Sequence, residues 1–386
     1  MKDRIYLDYA ATSPVLPEVL AEMLPFFSEH FGNPSGVYGT AREAQQGLEL
    51  ARRRTATAIG AEAAEICFTS GGSESDNMAI LGTARAREAK GHHIITTRIE
   101  HHAVLRPCRR LEKAGWEITY LPVDREGRTD PDDVRKAIRP DTVLISVMTA
   151  NNEIGTIQPV AEIGMLAREK GIVFHTDAVQ AAGSIPLDVN ALQADLLSIS
   201  AHKLYGPKGT GALYVRRGTR LESLISGGEQ ERKLRAGTEN TAGIAGMGKA
   251  IEIAVRDMEV TGARIRTLRD RMIRKVVAEI PDAIVNGSMT ERLDNNCHFS
   301  FPGTEGEALV LRLDLAGIAA SGGSACTAGN MEPSHVLMAI GHDDDREGGS
   351  VRFSLGRETT ETEIDEAVTI LGSIVADLRN MRQSMK

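Results

Sequence analysis

The sequence predicts an α/β protein with a mainly parallel, doubly wound sheet and a smaller α+β domain. Between about residues 65 and 215, short apolar runs alternate with helical stretches, which is the rhythm of βαβ units. These runs are almost continuously apolar, as is typical of parallel strands that helices cover on both faces. After a long helical stretch at residues 246–280, the pattern changes to short strands and one final helix.

Seven apolar runs make up the predicted large sheet. In chain order they are EICFTS, HHIITT, EITYLPV, TVLISVM, GIVFHTD, LLSIS and GALYV. Ligands of such sheets bind at the carboxyl ends of the strands. The polar residues that follow each run are therefore the first candidates for a functional site.

The remainder of the chain predicts a second, smaller domain. Apolar spacing over residues 246–280 predicts a connecting helix, and the spacing over residues 361–381 predicts a final amphipathic helix. Strand candidates between them are residues 283–285, 297–301, 318–321 and 351–354. We expect a large domain at residues 15–261 and a small domain formed by residues 1–14 and 262–386.

Composition and charge exclude several classes of protein. The chain has 386 residues, of which 41% are hydrophobic and 25% are charged, as in a soluble globular protein of about two domains. A net charge of −8 provides no basic face for nucleic acid or for an anionic membrane. No apolar run reaches the roughly 18 residues of a membrane helix, and the first residues lack the apolar core of a signal peptide. We therefore expect a cytoplasmic location.

The four cysteines are expected to be free thiols. They lie far apart, without CxxC or Cys/His spacing for a metal, and a large cytosolic protein does not need disulfides. Cys67 in an apolar strand, Cys108 on a helix and Cys297 at the start of a strand are expected to be buried. Cys326 lies in a loop of small residues, at 320–330, and is the expected exposed thiol.

Three segments that follow predicted strands could carry chemistry. The first, residues 69–75, places Gly71, Gly72 and Ser73 between a strand and a helix expected from Asp76 to Lys90. Main-chain N–H groups at a helix N-terminus bind phosphate, and glycine lets the ligand approach closely. The segment lacks both GxGxxG and GxxxxGK[ST], which disfavours a dinucleotide or a nucleoside triphosphate. A serine-capped tight turn is the alternative.

The other two segments contain Asp177 and Lys203. Asp177 ends the strand GIVFHTD, where a carboxylate could hold a protonated ring nitrogen or could cap a following helix. Lys203 follows the strand LLSIS and precedes a turn rich in Gly and Pro. A lysine amine there could form a Schiff base with an aldehyde, although a single lysine is more often solvated. A phosphate site, an acid and an amine together predict pyridoxal 5'-phosphate.

The chain resembles the class V aminotransferases, and within them the cysteine desulfurases of the NifS/IscS type. The resemblance spans nearly the whole chain. The segments that carry it are residues 6–12, 32–35, 69–77, 100–104, 151–155, 175–180, 200–206, 235–240, 321–327 and 351–357. It implies the pyridoxal-phosphate-dependent transferase fold of type I and an enzyme that converts L-cysteine to L-alanine.

The resemblance assigns roles to individual residues. Lys203 would hold the cofactor aldehyde and then act as acid and base at the substrate's α carbon. Asp177 would pair with the pyridine nitrogen, and His101 would stack on the ring, although the pair His101-His102 could also simply begin a helix. The remaining cofactor contacts would come from Gly72, Ser73, Ser200 and His202 at the phosphate, from Thr238 of a second subunit at the same phosphate, and from Asn152 and Gln180 at the phenolate side.

The resemblance also implies how substrate and sulfur are handled. Asn152 and Arg352 would bind the substrate carboxylate, which the planar fork of arginine suits; a surface salt bridge is the ordinary alternative for Arg352. Cys326 would take the sulfur as a persulfide and could transiently bind the iron of a cluster, with no permanent metal expected. The implied partners are a second copy of the chain and an acceptor such as an iron–sulfur scaffold, or a pathway such as tRNA thiolation.

One loop departs from the family pattern, and other functions remain open. Gly36, Tyr38 and Ala41 stand where relatives carry serine, histidine and glycine, which affects substrate preference or acceptor access. The chain also ends sooner than housekeeping IscS proteins, whose tail helps to dock the scaffold. The alternatives are another class V enzyme, such as an aminotransferase or a selenocysteine lyase, a non-catalytic sulfur-transfer platform, and a metal-binding protein.

Overall fold

A computed structural model describes residues 4–322, 334–342 and 348–384 of the chain. Twelve strands lie within these residues, and seven of them form the central sheet in the order β2-β8-β7-β6-β5-β3-β4. The strands are β1 (Ile5–Tyr6), β2 (Ile66–Thr69), β3 (His93–Thr97), β4 (Glu117–Leu121), β5 (Thr142–Ser146), β6 (Val173–Asp177), β7 (Leu196–Ser200), β8 (Gly211–Val215), β9 (Ile284–Val285), β10 (Asn296–Phe301), β11 (Ile318–Ala319) and β12 (Gly349–Ser354).

The central sheet is mainly parallel, as the apolar runs predict. Strands β3 to β7 pair in parallel, whereas β8 is antiparallel to both of its neighbours, β2 and β7. The prediction of a mainly parallel sheet is therefore confirmed, and the run GALYV forms the strand β8 that runs antiparallel to its neighbours. The sequence does not indicate this reversal, because a buried strand has the same apolar pattern in either direction. Since β2 is reversed twice relative to β7, its carboxyl end lies at the same edge of the sheet as those of β6 and β7.

Helices cover this sheet and the smaller one. They are α1 (Pro17–Met23), α2 (Pro25–Ser28), α3 (Gly39–Ala58), α4 (Gly72–Arg87), α5 (His102–Glu112), α6 (Pro131–Ala137), α7 (Val160–Lys170), α8 (Thr241–Glu279), α9 (Gly306–Leu315), α10 (His335–Ala339) and α11 (Glu361–Ser384). Local signals set several ends. Asp130 caps α6 through the N–H of Asp132, and α7 ends at Gly171 in the left-handed conformation.

The smaller sheet has the order β12-β10-β9, and β1 pairs with β11 in parallel beside it. Strand β10 is antiparallel to both neighbours, and Phe299, Phe301 and Phe353 are buried between this sheet and helices α9 and α11. The predicted strands at 283–285, 297–301, 318–321 and 351–354 are thus present with ends shifted by one or two residues.

Helix α8 contributes to two hydrophobic cores in succession. Ile244 to Ala254 pack into the core of the central sheet, whereas Ile265 to Val276 pack into the core of the smaller sheet. Ile5 and Leu7 also belong to the second core. This change of core along one helix supports a boundary near residue 261; the predicted division into 15–261 and 1–14 with 262–386 stays a prediction. Within the described residues, no helix is both long and apolar enough to cross a membrane.

His298 on β10 makes the pH dependence of stability testable. The side chain is fully buried, and burial, followed by the charges of Arg352 and Arg292, lowers its pKa to about 3 from the ordinary 6.5. Below pH 6.5 His298 is protonated in the unfolded chain but stays neutral in the folded chain. The free energy of unfolding therefore decreases as the pH falls.

Relative to His298→Asn, the wild type should lose about 1.4 kcal/mol of unfolding free energy per pH unit between about pH 6 and 4. Asparagine suits this variant because its oxygen can replace Nδ1, to which Asn286 Nδ2 lies at 3.0 Å. Urea unfolding of both proteins across this range measures the difference. Parallel pH profiles would contradict the assignment.

Candidate active site

A cavity of about 380 Å³ lies at the carboxyl edge of the central sheet. Its volume is that of a small-molecule site. Most of the predicted site residues line it, namely Gly72, Ser73, His101, Asn152, Asp177, Gln180, Ser200, His202, Lys203 and Arg352. A second recess of about 370 Å³ shares Gly72, Ser73, Ser200 and His202 with it and continues along the start of α4.

The start of α4 forms the anion-binding part of the cavity. The helix begins at Gly72, four residues before the expected Asp76, so Gly72 and Ser73 are its first residues. Gly71 is the N-cap, with no capping hydrogen bond from a side chain, so the serine-capped turn is not what forms here. A Cβ on Gly72 would lie 2.6 Å from Val179 Cγ2, which explains why glycine is needed. The first N–H groups of a helix lack partners within it and attract anions.

Asp177 occupies the end of β6, and its side chain is buried. Its Oδ1 accepts a hydrogen bond from the N–H of Val179 at 2.9 Å. No helix follows within residues 178–195, which excludes the helix-cap alternative. Burial raises the pKa of Asp177 to about 6, against the opposing effects of the Val179 N–H and the Lys203 charge. A positively charged ring nitrogen would favour the ionised carboxylate.

Lys203 ends a short 3-10 turn directly after β7. Its Nζ donates to the main-chain oxygens of Ala10 and Ala11 at 2.5 and 2.8 Å. The N-terminal segment is held over this turn because Ser13 Oγ donates to the oxygen of His202 and accepts from the N–H of Tyr205. The lysine amine is therefore positioned inside the cavity and is not a solvated surface group.

Two histidines of the cavity are neutral at physiological pH. Burial, followed by the charge of Lys203, lowers the pKa of His101 and that of His202 to about 4 each. His101 is the N-cap of α5, and its Nδ1 accepts from the N–H of Ala103 at 3.1 Å. The helix-start reading of this residue is thus correct, and the same side chain also lines the cavity. In the neutral ring the proton then lies on Nε2.

Arg352 on β12 is 2% exposed, so the surface salt bridge is the wrong reading for it. Its NH2 group donates to Asp8 Oδ1 at 2.8 Å and its NH1 group to the main-chain oxygen of Asn152 at 2.7 Å. The structure thus brings Arg352, on a strand of the smaller sheet, together with Asn152, in the turn that follows β5 of the central sheet. Gln180 Nε2 donates to the oxygen of Ala10 at 3.0 Å.

One predicted residue, Thr238, does not line this cavity in the single chain, and another lies outside the described residues. Thr238 is exposed and is absent from the residues that line the cavity. Cys326 lies outside the described residues. The other three cysteines, Cys67, Cys108 and Cys297, are buried, and burial raises the pKa of each thiol. The prediction that these three thiols are buried is therefore confirmed, and the prediction that they take no part in the chemistry stays a prediction.

Sequence reasoning missed several residues of the site. Asp76 is fully buried in α4 and lines the cavity; among the described residues its Oδ1 has no hydrogen-bond partner, and His175 Nε2 lies 3.6 Å away. His102 and His335 also line the cavity, with ring centroids 4.8 Å apart. Asp8 supports Arg352 as described above. Asp76 and Asp8 both lie in segments that carry the family resemblance, which was the available signal.

The residues of the cavity fit pyridoxal 5'-phosphate. The cofactor has an aldehyde, a pyridine nitrogen and a phosphate, and the cavity offers a lysine amine, a buried carboxylate and a glycine-lined helix N-terminus at separate places. The absence of a Cβ at Gly72 leaves room beside Val179, and the neutral His101 and His202 can act as hydrogen-bond donors. Among the described residues, no cluster of three or more His, Cys, Asp or Glu is placed to hold a metal ion.

Comparison with known proteins identifies the family of the chain. Residues 5–367 match the family described as aminotransferase class-V. The chain is 55% identical over 381 residues to a Dictyoglomus turgidum protein described as cysteine desulfurase IscS, with 99% of this chain and 97% of that one covered.

Two solved structures are similar over most of the chain. One is described as a NifS-like protein, is 37% identical and has a TM-score of 0.91, with 97% of this chain and 100% of that chain covered. The other, described as SspA in complex with cysteine, is 39% identical with a TM-score of 0.81 and coverage of 92% and 100%. The chain belongs to the aminotransferase class-V family and, within it, to the group of the cysteine desulfurase IscS and NifS-like proteins.

Proposed function

We propose that this chain is a pyridoxal-phosphate-dependent cysteine desulfurase. It converts L-cysteine to L-alanine and passes the sulfur, as a persulfide on Cys326, to an acceptor. The observation that carries the proposal is that the Lys203 amine, the buried Asp177, the N-terminus of α4 and Arg352 line one cavity. Relatives described as cysteine desulfurase IscS and a relative described in complex with cysteine support the choice of substrate.

The cofactor would be held by three contacts of the chain. The N–H groups at Gly72 and Ser73, with Ser200 and His202, would bind the phosphate. Asp177 would bind the pyridine nitrogen, and Asn152 and Gln180 would bind the phenolate oxygen. Bound pyridoxal phosphate supplies an electron sink for the removal of a proton from the substrate's α carbon.

The chain's own residues move protons and bind the substrate. The Lys203 amine would take the α proton of the substrate and later return a proton to the product. His101 is neutral at physiological pH because burial lowers its pKa to about 4, and it would stack on the cofactor ring with its Nε2–H available as a donor inside the cavity. Arg352 binds the carboxylate of the substrate through its planar fork.

The sulfur step uses the Cys326 thiol. Its thiolate attacks the sulfur of the substrate, a sulfur–sulfur bond forms as the carbon–sulfur bond breaks, and the carbon skeleton takes up a proton and leaves as alanine. The terminal sulfur of the persulfide then passes to an acceptor, for which we propose an iron–sulfur scaffold protein or the sulfur supply for tRNA thiolation. Cys326 would at most share a cluster iron transiently during this transfer.

A homodimer is part of the proposal. Thr238 is exposed in a loop that leads into α8 and does not line the cavity of its own chain. A second copy would place this threonine at the phosphate of the neighbouring site. Light scattering that finds a fully active monomer would contradict this arrangement.

Product analysis tests the function itself. Purified protein loaded with pyridoxal phosphate and given L-cysteine with a reductant should release alanine and sulfide in equal amounts. Transfer of the amino group to pyruvate without sulfide would instead indicate an aminotransferase. Preferential release of selenide from selenocysteine would indicate a lyase.

Replacing Arg352 with lysine should weaken substrate binding. Lysine keeps the positive charge beside Asp8 but cannot meet both oxygens of a carboxylate, so we expect the KM for L-cysteine to rise about 10- to 100-fold. Steady-state kinetics at saturating pyridoxal phosphate measure this change. Arg271→Lys, which alters a surface pair with Asp365, is the control and should leave KM unchanged. An unaltered KM in the Arg352→Lys enzyme would exclude the carboxylate contact.

A further inference from the structure

On the outer edge of β2, side chains form the hydrogen bonds with the main chain that a neighbouring strand would otherwise form. β2 is the terminal strand of the central sheet and bonds only to β8 within it. On its open side, the oxygen of Ile66 accepts from Arg52 NH1 at 2.7 Å, and the N–H of Phe68 donates to Glu231 Oε2 at 2.8 Å. β2 leads directly into Gly71 and Gly72. The turn of residues 70–73, where the cofactor phosphate would bind, is here named the phosphate cradle, and these contacts hold the strand that positions it.

Arg52 and Glu231 form a buried, two-fold ion pair. The NH1 and NH2 groups of Arg52 donate to Oε2 and Oε1 of Glu231, both at 2.8 Å. Their side chains are 5% and 2% exposed, and the guanidinium lies over the ring of Phe68 at 4.8 Å. Removing one member of such a pair leaves the other charge buried without compensation.

The backbone around Glu231 is strained, and the ion pair holds it. Glu231, Arg232 and Lys233 are three successive non-glycine residues with φ angles of 43°, 55° and 69°. Residues other than glycine adopt this conformation when surrounding contacts enforce it, and such strain collects at sites with a function. The segment lies in the loop of residues 227–240. This loop contains the exposed Thr238 and leads directly into α8.

A second ion pair joins the same loop to the cradle. Arg235 Nε donates to Glu74 Oε1 at 3.0 Å, and Glu74 Oε2 accepts from the N–H of Ser70 at 2.8 Å. Glu74 belongs to the first turn of α4, and Ser70 is the residue after β2. The loop is therefore attached at both sides of Gly71 and Gly72, once to the strand before them and once to the helix after them.

We infer that Arg52, Glu74, Glu231 and Arg235, here named the edge clamp, are positioning residues that fix the phosphate cradle and the loop 227–240 as one unit. The inference rests on the proposed function, in which that loop lends Thr238 to the second subunit. The edge clamp would then position two parts of the dimer together. One is the phosphate cradle of the chain's own active site, and the other is Thr238, which would complete the active site of the second subunit. Cofactor retention and loop order depend on each other through these contacts.

Glu231→Gln and Arg235→Gln, each made in the dimeric holoenzyme, test the clamp. Hydrogen–deuterium exchange should increase in residues 68–75 and in residues 227–240 together. The rate at which pyridoxal phosphate leaves the protein, followed by its visible absorbance after dilution, should rise about 10-fold or more for Glu231→Gln and severalfold for Arg235→Gln. Asp365→Asn is the matched control and should change neither reading, because this α11 carboxylate is paired two-fold with Arg271 of α8, away from the loop and the strand.

Two results would overturn the inference. One is faster hydrogen–deuterium exchange in residues 227–240 alone, while the exchange of residues 68–75 and the release rate of the cofactor stay unchanged. The other is an equal loss of cofactor from Asp365→Asn, because that would indicate general destabilisation. If Glu231→Gln does not fold, the partly exposed Arg235 pair still gives both readings. Failure of the proposed function appears differently, as a wild-type protein that binds no cofactor, while the exchange of the two segments still reports on the clamp.

Discussion

Replacing Lys203 with alanine should abolish turnover and the visible absorbance of bound cofactor. Among the described residues that line the cavity, Lys203 alone carries an amine. We expect the rate of alanine formation from L-cysteine to fall on the order of 10⁴-fold, as when a positioned acid and base is lost. Absorbance spectra and a coupled alanine assay measure the two effects.

Lys170→Ala provides the control for this variant. Lys170 is exposed at the end of α7, so its loss should change neither the spectrum nor the rate. A Lys203→Ala protein that keeps the absorbance of covalently held cofactor would remove Lys203 from its assigned role.

Replacing Cys326 with alanine should separate cofactor binding from sulfur transfer. The absorbance of the cofactor should stay the same because the residues that line the cavity are unchanged. Sulfide release from L-cysteine should fall by at least about 10³-fold, because the loss of a nucleophile leaves only the contributions of binding and electrostatics. Sulfide and alanine assays on the holoenzyme measure this loss.

Cys108→Ala is the matched control for the thiol. Cys108 is fully buried on α5, and burial raises the pKa of its thiol, so it is not a nucleophile at neutral pH. Removing it should cost some stability through the cavity left behind but should preserve sulfide release. Full turnover by Cys326→Ala would refute the nucleophile role of Cys326.

The sequence predicts the central sheet well because its strands are buried on both faces. Continuous apolar runs such as TVLIS and LLSIS have no other stable place in a chain of this size. The same property hides the direction of a strand, which is why the reversal of β8 was not predicted. The predicted start of α4 is four residues too late because Gly-Gly-Ser is a poor helix sequence, whereas in the structure the helix begins at Gly72, where a larger residue would clash with Val179.

The phosphate site at Gly72 and the roles of Asp177 and Lys203 were predicted from positions at strand ends, whereas the family resemblance assigned the other site residues. Several of the missed contacts join residues that are far apart in the sequence. Arg52 and Glu231 are 179 positions apart, and Asp8 and Arg352 are 344 apart. Nothing near either arginine in the sequence indicates its carboxylate. Asp76 was missed for a different reason, since an aspartate near the start of a helix is usually an exposed cap, whereas here it is fully buried.

A single turnover with sulfur-labelled L-cysteine tests the central claim most directly. The holoenzyme, freed of reductant, is mixed with one equivalent of substrate, and its peptides are analysed by mass spectrometry while alanine is quantified. We expect one labelled sulfur on the peptide that contains Cys326 for each alanine formed, and none on the peptides of Cys67, Cys108 or Cys297. Alanine formed without label on Cys326, or label transferred to one of the buried cysteines, would contradict the account.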